Sequence, residues 1–225
     1  MKKTDYSFAI DYSLSSEIGN VGIARYIKEI NGKIYHTTEH DEKIEVGKFN
    51  CTKLLVGQSE SNGYSRGDLF DYSDVGIEIL SNFFDIEKDG DFLPEYADLF
   101  MDLLPESILI LERMEILPEF KGIGLGKIIG KNIIHDFHSL DCLVVFKAFP
   151  LQLEGTNVLG VNKTFREKMG YENLLQDEKK AKISLNNYHK SRGFLNLPNG
   201  RKDIFYYNPT LINNRFDSID LNRSF

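Results

Sequence analysis

The chain has 225 residues with 27 Lys+Arg against 34 Asp+Glu, a formal net charge of −7 that argues against a broad polyphosphate-binding surface and so against nucleic acid as the main partner. Hydrophobic residues at 41% and charged residues at 27% exclude the composition of a disordered chain, and the length suits one enlarged domain over 1–225. No run approaches the ~18 apolar residues of a membrane span. The opening MKKTDYSFAIDYSL has neither an apolar core nor a small-residue cleavage site, so a cytoplasmic protein with Cys51 and Cys142 reduced is expected.

In chain order, Val21–Ile30 and Lys33–Thr38 around Asn31-Gly32 predict a hairpin, because Asn and Gly tolerate the positive φ of a tight turn. Asn50–Gln58 reads as a strand, and Asp74–Phe84 as a helix with apolar Val75, Ile77, Leu80 and Phe83. A short helix is expected over Glu95–Leu104. The apolar strand Ile108–Leu117 then ends at Pro118. The glycines at 122, 124 and 126 give way to an amphipathic helix carrying Ile128, Ile129, Ile133, Ile134 and Phe137. Leu143–Phe149 is a second buried strand. Part of Gly155–Lys179 reads as an insertion, followed by a helix over Lys180–Arg192 that stops at Gly193. Phe194–Leu197 and Asp203–Tyr207 predict a closing hairpin, and Thr210–Phe225 a polar tail, with 211–225 outside the core.

The stretch Pro118–Ile129 carries the most chemistry. Alternating glycines free the backbone so that successive N–H groups can point at one anion as a helix begins, which suits a diphosphate. A nucleotide P-loop fails on spacing, since Gly126-Lys127 is followed by Ile128 and preceded five positions earlier by Lys121. The dinucleotide fingerprint Gly-x-Gly-x-x-Gly also fails, with Lys127 or Ile129 in its last position.

Ile116, Pro118, Lys121, Gly122, Gly124 and Gly126 match a pattern Val/Ile-x-Pro-x-x-Arg/Gln/Lys-Gly-x-Gly-x-Gly. This resembles the acyl-coenzyme-A pyrophosphate loop of the GNAT (GCN5-related) N-acetyltransferase superfamily, with lysine at 121 in place of the more usual arginine or glutamine. Asn187–Phe194 (NYHKSRGF) resembles the late helix signature of that family, and Phe165–Tyr171 (FREKMGY) is an earlier near-copy. The resemblance covers roughly residues 95–210.

It implies an α+β fold with a mixed, mostly antiparallel central sheet flanked by helices. Residues 1–94 would form the acceptor-side half and 95–210 the acyl-CoA-binding core. It also implies transfer of an acetyl group from acetyl-CoA to a primary amine by direct attack in a ternary complex, without a metal. Ile116, Leu117, Lys121, Gly122, Ile123, Gly124, Leu125, Gly126 and Lys127 would hold the cofactor. The acceptor would be a small molecule or a protein, with no membrane partner and a homodimer left open. A non-catalytic acyl-CoA- or partner-binding domain is the alternative.

Direct attack needs a base for the amine proton and an acid for the departing thiolate. Glu115 and Glu112 are the candidate bases. Their three-residue separation puts them on opposite faces of a regular strand, and Glu115, nearer the loop, is the favoured base. A carboxylate paired with Arg113 is the competing reading. Aligning on Gly193-Phe194 places His189 where the family has its acid, with Tyr188 beside it; the asparagine that often precedes this pair is replaced by Lys182.

Other patterns are weaker. His36-Thr-Thr-Glu39-His40 spells an inverted zinc-protease motif but follows a turn signal, and His135 with His138 lacks a third ligand. Asp85-Ile-Glu87-Lys-Asp89-Gly90 starts like a calcium loop, yet Glu95 falls one residue early. Tyr171, Tyr188, Tyr206 and Tyr207 are candidates to line a cleft.

Overall fold

The computed structural model describes residues 7–15, 22–100, 105–154, 163–198 and 200–221. Strands β1 (Ser7–Ser15), β2 (Ile27–Thr37) and β3 (Lys43–Leu54) come first. Helices α1 (Val56–Ser61), α2 (Arg66–Phe70) and α3 (Asp74–Leu80) follow, and then a small hairpin, β4 (Phe84–Asp85) and β5 (Asp91–Phe92). After β6 (Ser107–Ile116) come α4 (Leu125–Phe137), β7 (Cys142–Lys147), α5 (Lys163–Lys168), α6 (Glu178–Ser191), β8 (Ile204–Tyr207) and α7 (Asn214–Asp217). The fold is mixed α/β: a six-stranded sheet in the order β1-β2-β3-β6-β7-β8, antiparallel except for the β6–β7 pair.

Two apolar layers cover this sheet. On one face, Leu54, Ile108, Ile110, Leu143, Val145 and Tyr206 pack against residues of α2 and α3 and against Phe83, Phe84 and Phe100. On the other, Phe49, Cys51, Leu109, Val144, Phe146 and Phe205 pack against Leu125, Ile129, Ile133 and Ile134 of α4 and against Phe194. A third cluster, Leu117, Phe165, Met169 and Tyr171, lies at the end of β6. Burying both faces explains why Ile108–Ile110 and Leu143–Val145 are continuous apolar runs.

The expected hairpin at Asn31-Gly32 does not form. The chain runs straight through as β2, with Gly32 opposite Tyr12 on one side and Phe49 on the other. Gly32 serves a close approach: a Cβ there would stand 2.1 Å from the Phe49 ring, which instead lies across the glycine and meets the Tyr12 ring edge-on at 5.8 Å. Asn50–Gln58 divides between the end of β3 and the start of α1. The helix expected over Asp74–Phe84 ends at Leu80, and Phe84 joins the small hairpin. Only single helical turns occur at Pro94–Tyr96 and Asp98–Phe100; the rest of the helix expected to Leu104 lies outside the described residues.

The strand–turn–helix–strand expectation for 108–149 holds as β6, α4 and β7. Phe194–Leu197 contributes one bridge, Leu195 to Tyr206, in place of a hairpin arm. Residues 155–162 of the expected insertion lie outside the described residues. The expected polar tail docks in part: Phe216 is buried against Tyr207 at 4.3 Å between ring centroids, and Asn213 Nδ2 donates to the Gly193 carbonyl at 2.6 Å. No helix among the described residues is long and apolar enough to cross a membrane.

Candidate functional site

The parallel pair is short. Ser107–Ile110 bonds to Cys142–Val145, after which the two strands separate. Leu111–Ile116, the glycine turn and Phe146–Phe149 then line one cavity of about 780 Å³. Gly122 at φ +83 and Gly124 at φ +94 hold the turn in the left-handed region, where glycine carries no steric cost. Gly124 caps α4 without a side-chain bond, the first turn carries no acidic residue, and the space beside Gly122 is open. The unpaired N–H groups and the positive end of the helix dipole therefore favour an anion there, with Lys121 and Lys127 on the same lining. Loss of hydration pulls the Lys121 pKa below the usual lysine range, a state an anionic neighbour would relieve. Ile116, Leu125 and Gly126 also border the cavity, with Ile123; Leu117 turns into the third apolar cluster.

A register shift reassigns the two glutamates. Asn50 pairs with Arg113 but Cys51 pairs with Leu111, so Glu112 is an extra residue at a β-bulge. Directly opposite residues share a face, which puts Arg113 and Glu115 beside Asn50 and Lys48. The Glu112 carboxylate accepts from Thr52 Oγ1 at 2.7 Å and from Tyr72 Oη at 3.3 Å on that same face. Both glutamates thus lie on one side, contrary to the regular-strand expectation, because the bulge cancels the odd spacing.

Their environments differ. The Glu115 side chain is 0% exposed and sits between Lys48 Nζ at 3.3 Å and Arg113, which donates to Oε1 at 3.1 Å. Tyr171 Oη donates to the same oxygen at 2.5 Å. Arg113 Nε lies 3.0 Å from Oε2 but is not aligned for a hydrogen bond. Burial alone would raise the Glu115 pKa; the bonds from Arg113 and Tyr171 and the charges of Arg113 and Lys48 outweigh it and hold the carboxyl below its ordinary value. Arg113 continues to Glu154 at 2.7 Å, and Glu154 to Arg166 at 3.4 Å, so this network ties the chain after β7 to β6 and β3. Glu112 is exposed and borders the cavity.

The candidate acids also separate. His189 packs among Phe146, Phe194 and Phe205, at 4.7, 6.1 and 5.4 Å between ring centroids. Burial, then the nearby Arg192 charge, lowers its pKa to about 3, so the ring is neutral at physiological pH. Tyr188 is exposed at the cavity wall, and its hydroxyl lies over the first turn of α4, 2.8 Å from where a Cβ at Gly126 would stand. Arg192, 2% exposed, donates from Nη2 to the Gly126 carbonyl at 2.5 Å, while its Nε has no partner among the described residues. Sequence reasoning passed over Arg192, although it stands one residue before Gly193-Phe194.

Tyr171 and Tyr188 line the cavity, whereas Tyr206 and Tyr207 are core residues. His36 is on β2 and His40 in the turn after it, so the inverted zinc-protease spacing does not fall on a helix. Asp85–Gly90 forms the turn between β4 and β5. Among the described residues no group of three His, Cys, Asp or Glu is placed to hold a metal. Comparison with family models, with curated proteins and with solved structures finds no match to this chain.

Proposed function

We propose that the protein is an N-acyltransferase of the GNAT type, moving an acyl group, in the simplest case acetyl, from acyl-coenzyme A to a primary amine. The observation that carries this reading is the parting of β6 and β7 beside a cavity that the positive-φ turn before α4 also lines. A diphosphate at the α4 N-terminus would align the rest of the donor along the separated strands, and the thioester when bound supplies the electrophilic carbonyl.

Glu112 takes the amine proton, directly or through water, because it is the exposed carboxylate on the cavity wall. Thr52 and Tyr72 orient it. Tyr188 donates a proton to the leaving thiolate from its place over α4. Glu115 and Arg113 hold the wall in shape, since a carboxylate neutralised by two cations is a weak base. Glu112 offers the acceptor side negative charge suited to a small-molecule or protein amine. Two buried reduced cysteines agree with a cytoplasmic setting.

A non-catalytic acyl-CoA-binding domain is the second reading, favoured by the neutralised Glu115 and the uncharged His189. Calorimetry with acetyl-CoA and with NADPH separates these from a nicotinamide-binding protein: heat is expected with acetyl-CoA alone, and its absence overturns both acyl-CoA readings. Release of free thiol in the presence of an amine panel then distinguishes enzyme from binder.

A further inference from the structure

Arg192 is a cation taken out of water with no counter-ion beside it. Its side chain is buried, and no carboxylate among the described residues forms an ion pair with it. Its hydrogen bonds go to neutral carbonyls, from Nη2 to Gly126 at 2.5 Å and to Lys127 at 3.5 Å, both in the first turn of α4. Arg113 shows the usual arrangement: its guanidinium meets Glu115 at 3.0 Å and Glu154 at 2.7 Å. A guanidinium does not shed its proton inside a protein, so the charge of Arg192 persists. An uncompensated buried charge is strongly destabilising, whereas an apolar side chain of similar volume fills the same space without that penalty. The charge therefore calls for a role that packing alone does not supply.

The guanidinium lies over the ring of Tyr188, with Cζ 5.1 Å from its centroid, and the Tyr188 hydroxyl lies over the same first turn of α4. His189 also meets that ring, at 5.3 Å between centroids, but is neutral at physiological pH and adds no second positive charge. When the amine nitrogen bonds to the thioester carbon, the C–S bond breaks with its electron pair on sulfur. The Tyr188 hydroxyl gives its proton to that sulfur, and the electrons of the O–H bond remain on the phenol oxygen and spread into the ring under Arg192. Water later returns a proton to Tyr188, and Glu112 releases the amine proton to solvent. Negative charge is thus present on this ring only during turnover, so a fixed cation beside it stabilises the reacting state without tightening ground-state binding. Resting on the acyltransferase reading above, we infer that Arg192 is a positioning residue whose charge stabilises the phenolate left when Tyr188 protonates the leaving thiolate.

The test is a double-mutant cycle in the full chain. Arg192→Met removes the charge and the hydrogen bonds, and Arg192→Gln removes the charge while carrying an amide donor; the two pack differently, so one that folds by its urea midpoint suffices. In that variant kcat for thiol release from acetyl-CoA should fall at least tenfold, with the acetyl-CoA Kd from calorimetry within threefold of the parent. Arg192→Lys, which keeps the charge, should recover most of the rate. In a Tyr188→Phe chain the charge-removing substitution should change kcat less than threefold, because no phenolate forms there. Equal losses in the two backgrounds, a failure of Arg192→Lys to recover the rate, or a parent-background kcat within threefold of normal each overturn the inference while leaving the acyltransferase reading in place. A parent chain that binds acetyl-CoA yet releases no thiol with any amine overturns that reading and the inference with it.

Discussion

Arg192 and Gly130 share one space: the guanidinium Nη2 stands 2.1 Å from where a Cβ at residue 130 would be, and it anchors α6 to α4 through the Gly126 carbonyl. The arginine stacks on the Tyr188 and Phe194 rings at 5.1 and 5.6 Å, so the same contact positions the tyrosine that faces the cavity.

Gly130→Ala therefore has two opposed effects. Alanine favours the helix by about 1 kcal/mol, but the forced displacement of a buried arginine costs about 1–3 kcal/mol. Urea denaturation should show net destabilisation, with part of it recovered when Arg192→Met is added, because the two sites are coupled. A single variant as stable as the parent chain would contradict the shared space.

Removing Arg113 leaves Glu115 with no exposed surface and one cation fewer. Breaking a buried pair from one side costs about 3–5 kcal/mol, so Arg113→Met should lower the urea midpoint strongly. The intact pair also has a pH signature. The folded Glu115 pKa lies below its unfolded value, so its contribution is complete above the unfolded value and is lost as pH falls through the folded one. Arg113→Met should move that loss to higher pH, measurable by stability against pH.

His189 titrates over a different window. Its folded pKa of about 3 lies below the unfolded histidine value of about 6.5. The folded state thus binds fewer protons, and stability should fall as pH drops below about 6.5, with a slope approaching 1.4 kcal/mol per unit from this group. His189→Phe should flatten that part of the profile and leave amine acylation intact. A variant with an unchanged profile would place the histidine elsewhere.

For the chemistry, Glu112→Gln and Tyr188→Phe should each lower turnover by roughly 100-fold or more, the scale of a lost general base or acid. Acetyl-CoA affinity, read by calorimetry, should change far less than turnover. Turnover within threefold of the parent for either variant removes that residue from the mechanism.

The turn at the donor end provides the complementary result. Gly124 adopts φ +94 at the α4 N-terminus, so Gly124→Glu combines backbone strain with a like charge where an anion should sit. Loss of measurable acetyl-CoA binding is expected in a chain that keeps its urea midpoint within the range of other surface-turn variants.

Local patterns were enough to read the segment from Ser107 to Lys147. Pro118 ends a strand, glycines at 122 and 124 require a backbone that other residues resist, and isoleucines at helical spacing mark the buried face of α4. Each of these is a constraint within a few residues, so it survives without knowledge of the fold. The same local logic misread Asn31-Gly32, whose turn propensity yields to the Phe49 ring lying across it from a strand 17 positions later.

The sequence by itself thus determined the glycine turn with its flanking strand and helix, because hydrophobic period, proline and glycine act through backbone geometry near at hand, while the mixed α/β class was what the family resemblance implied. Tertiary structure alone decided which carboxylate is exposed, and that of the two lining residues Tyr188 and His189 the tyrosine is exposed while the histidine packs among aromatic rings. A one-residue bulge at Glu112 turns both glutamates to one side, and burial among aromatic rings sets the charge state of His189. Strand register and solvent access depend on partners distant in the chain, and neither leaves a trace in the spacing of the residues themselves.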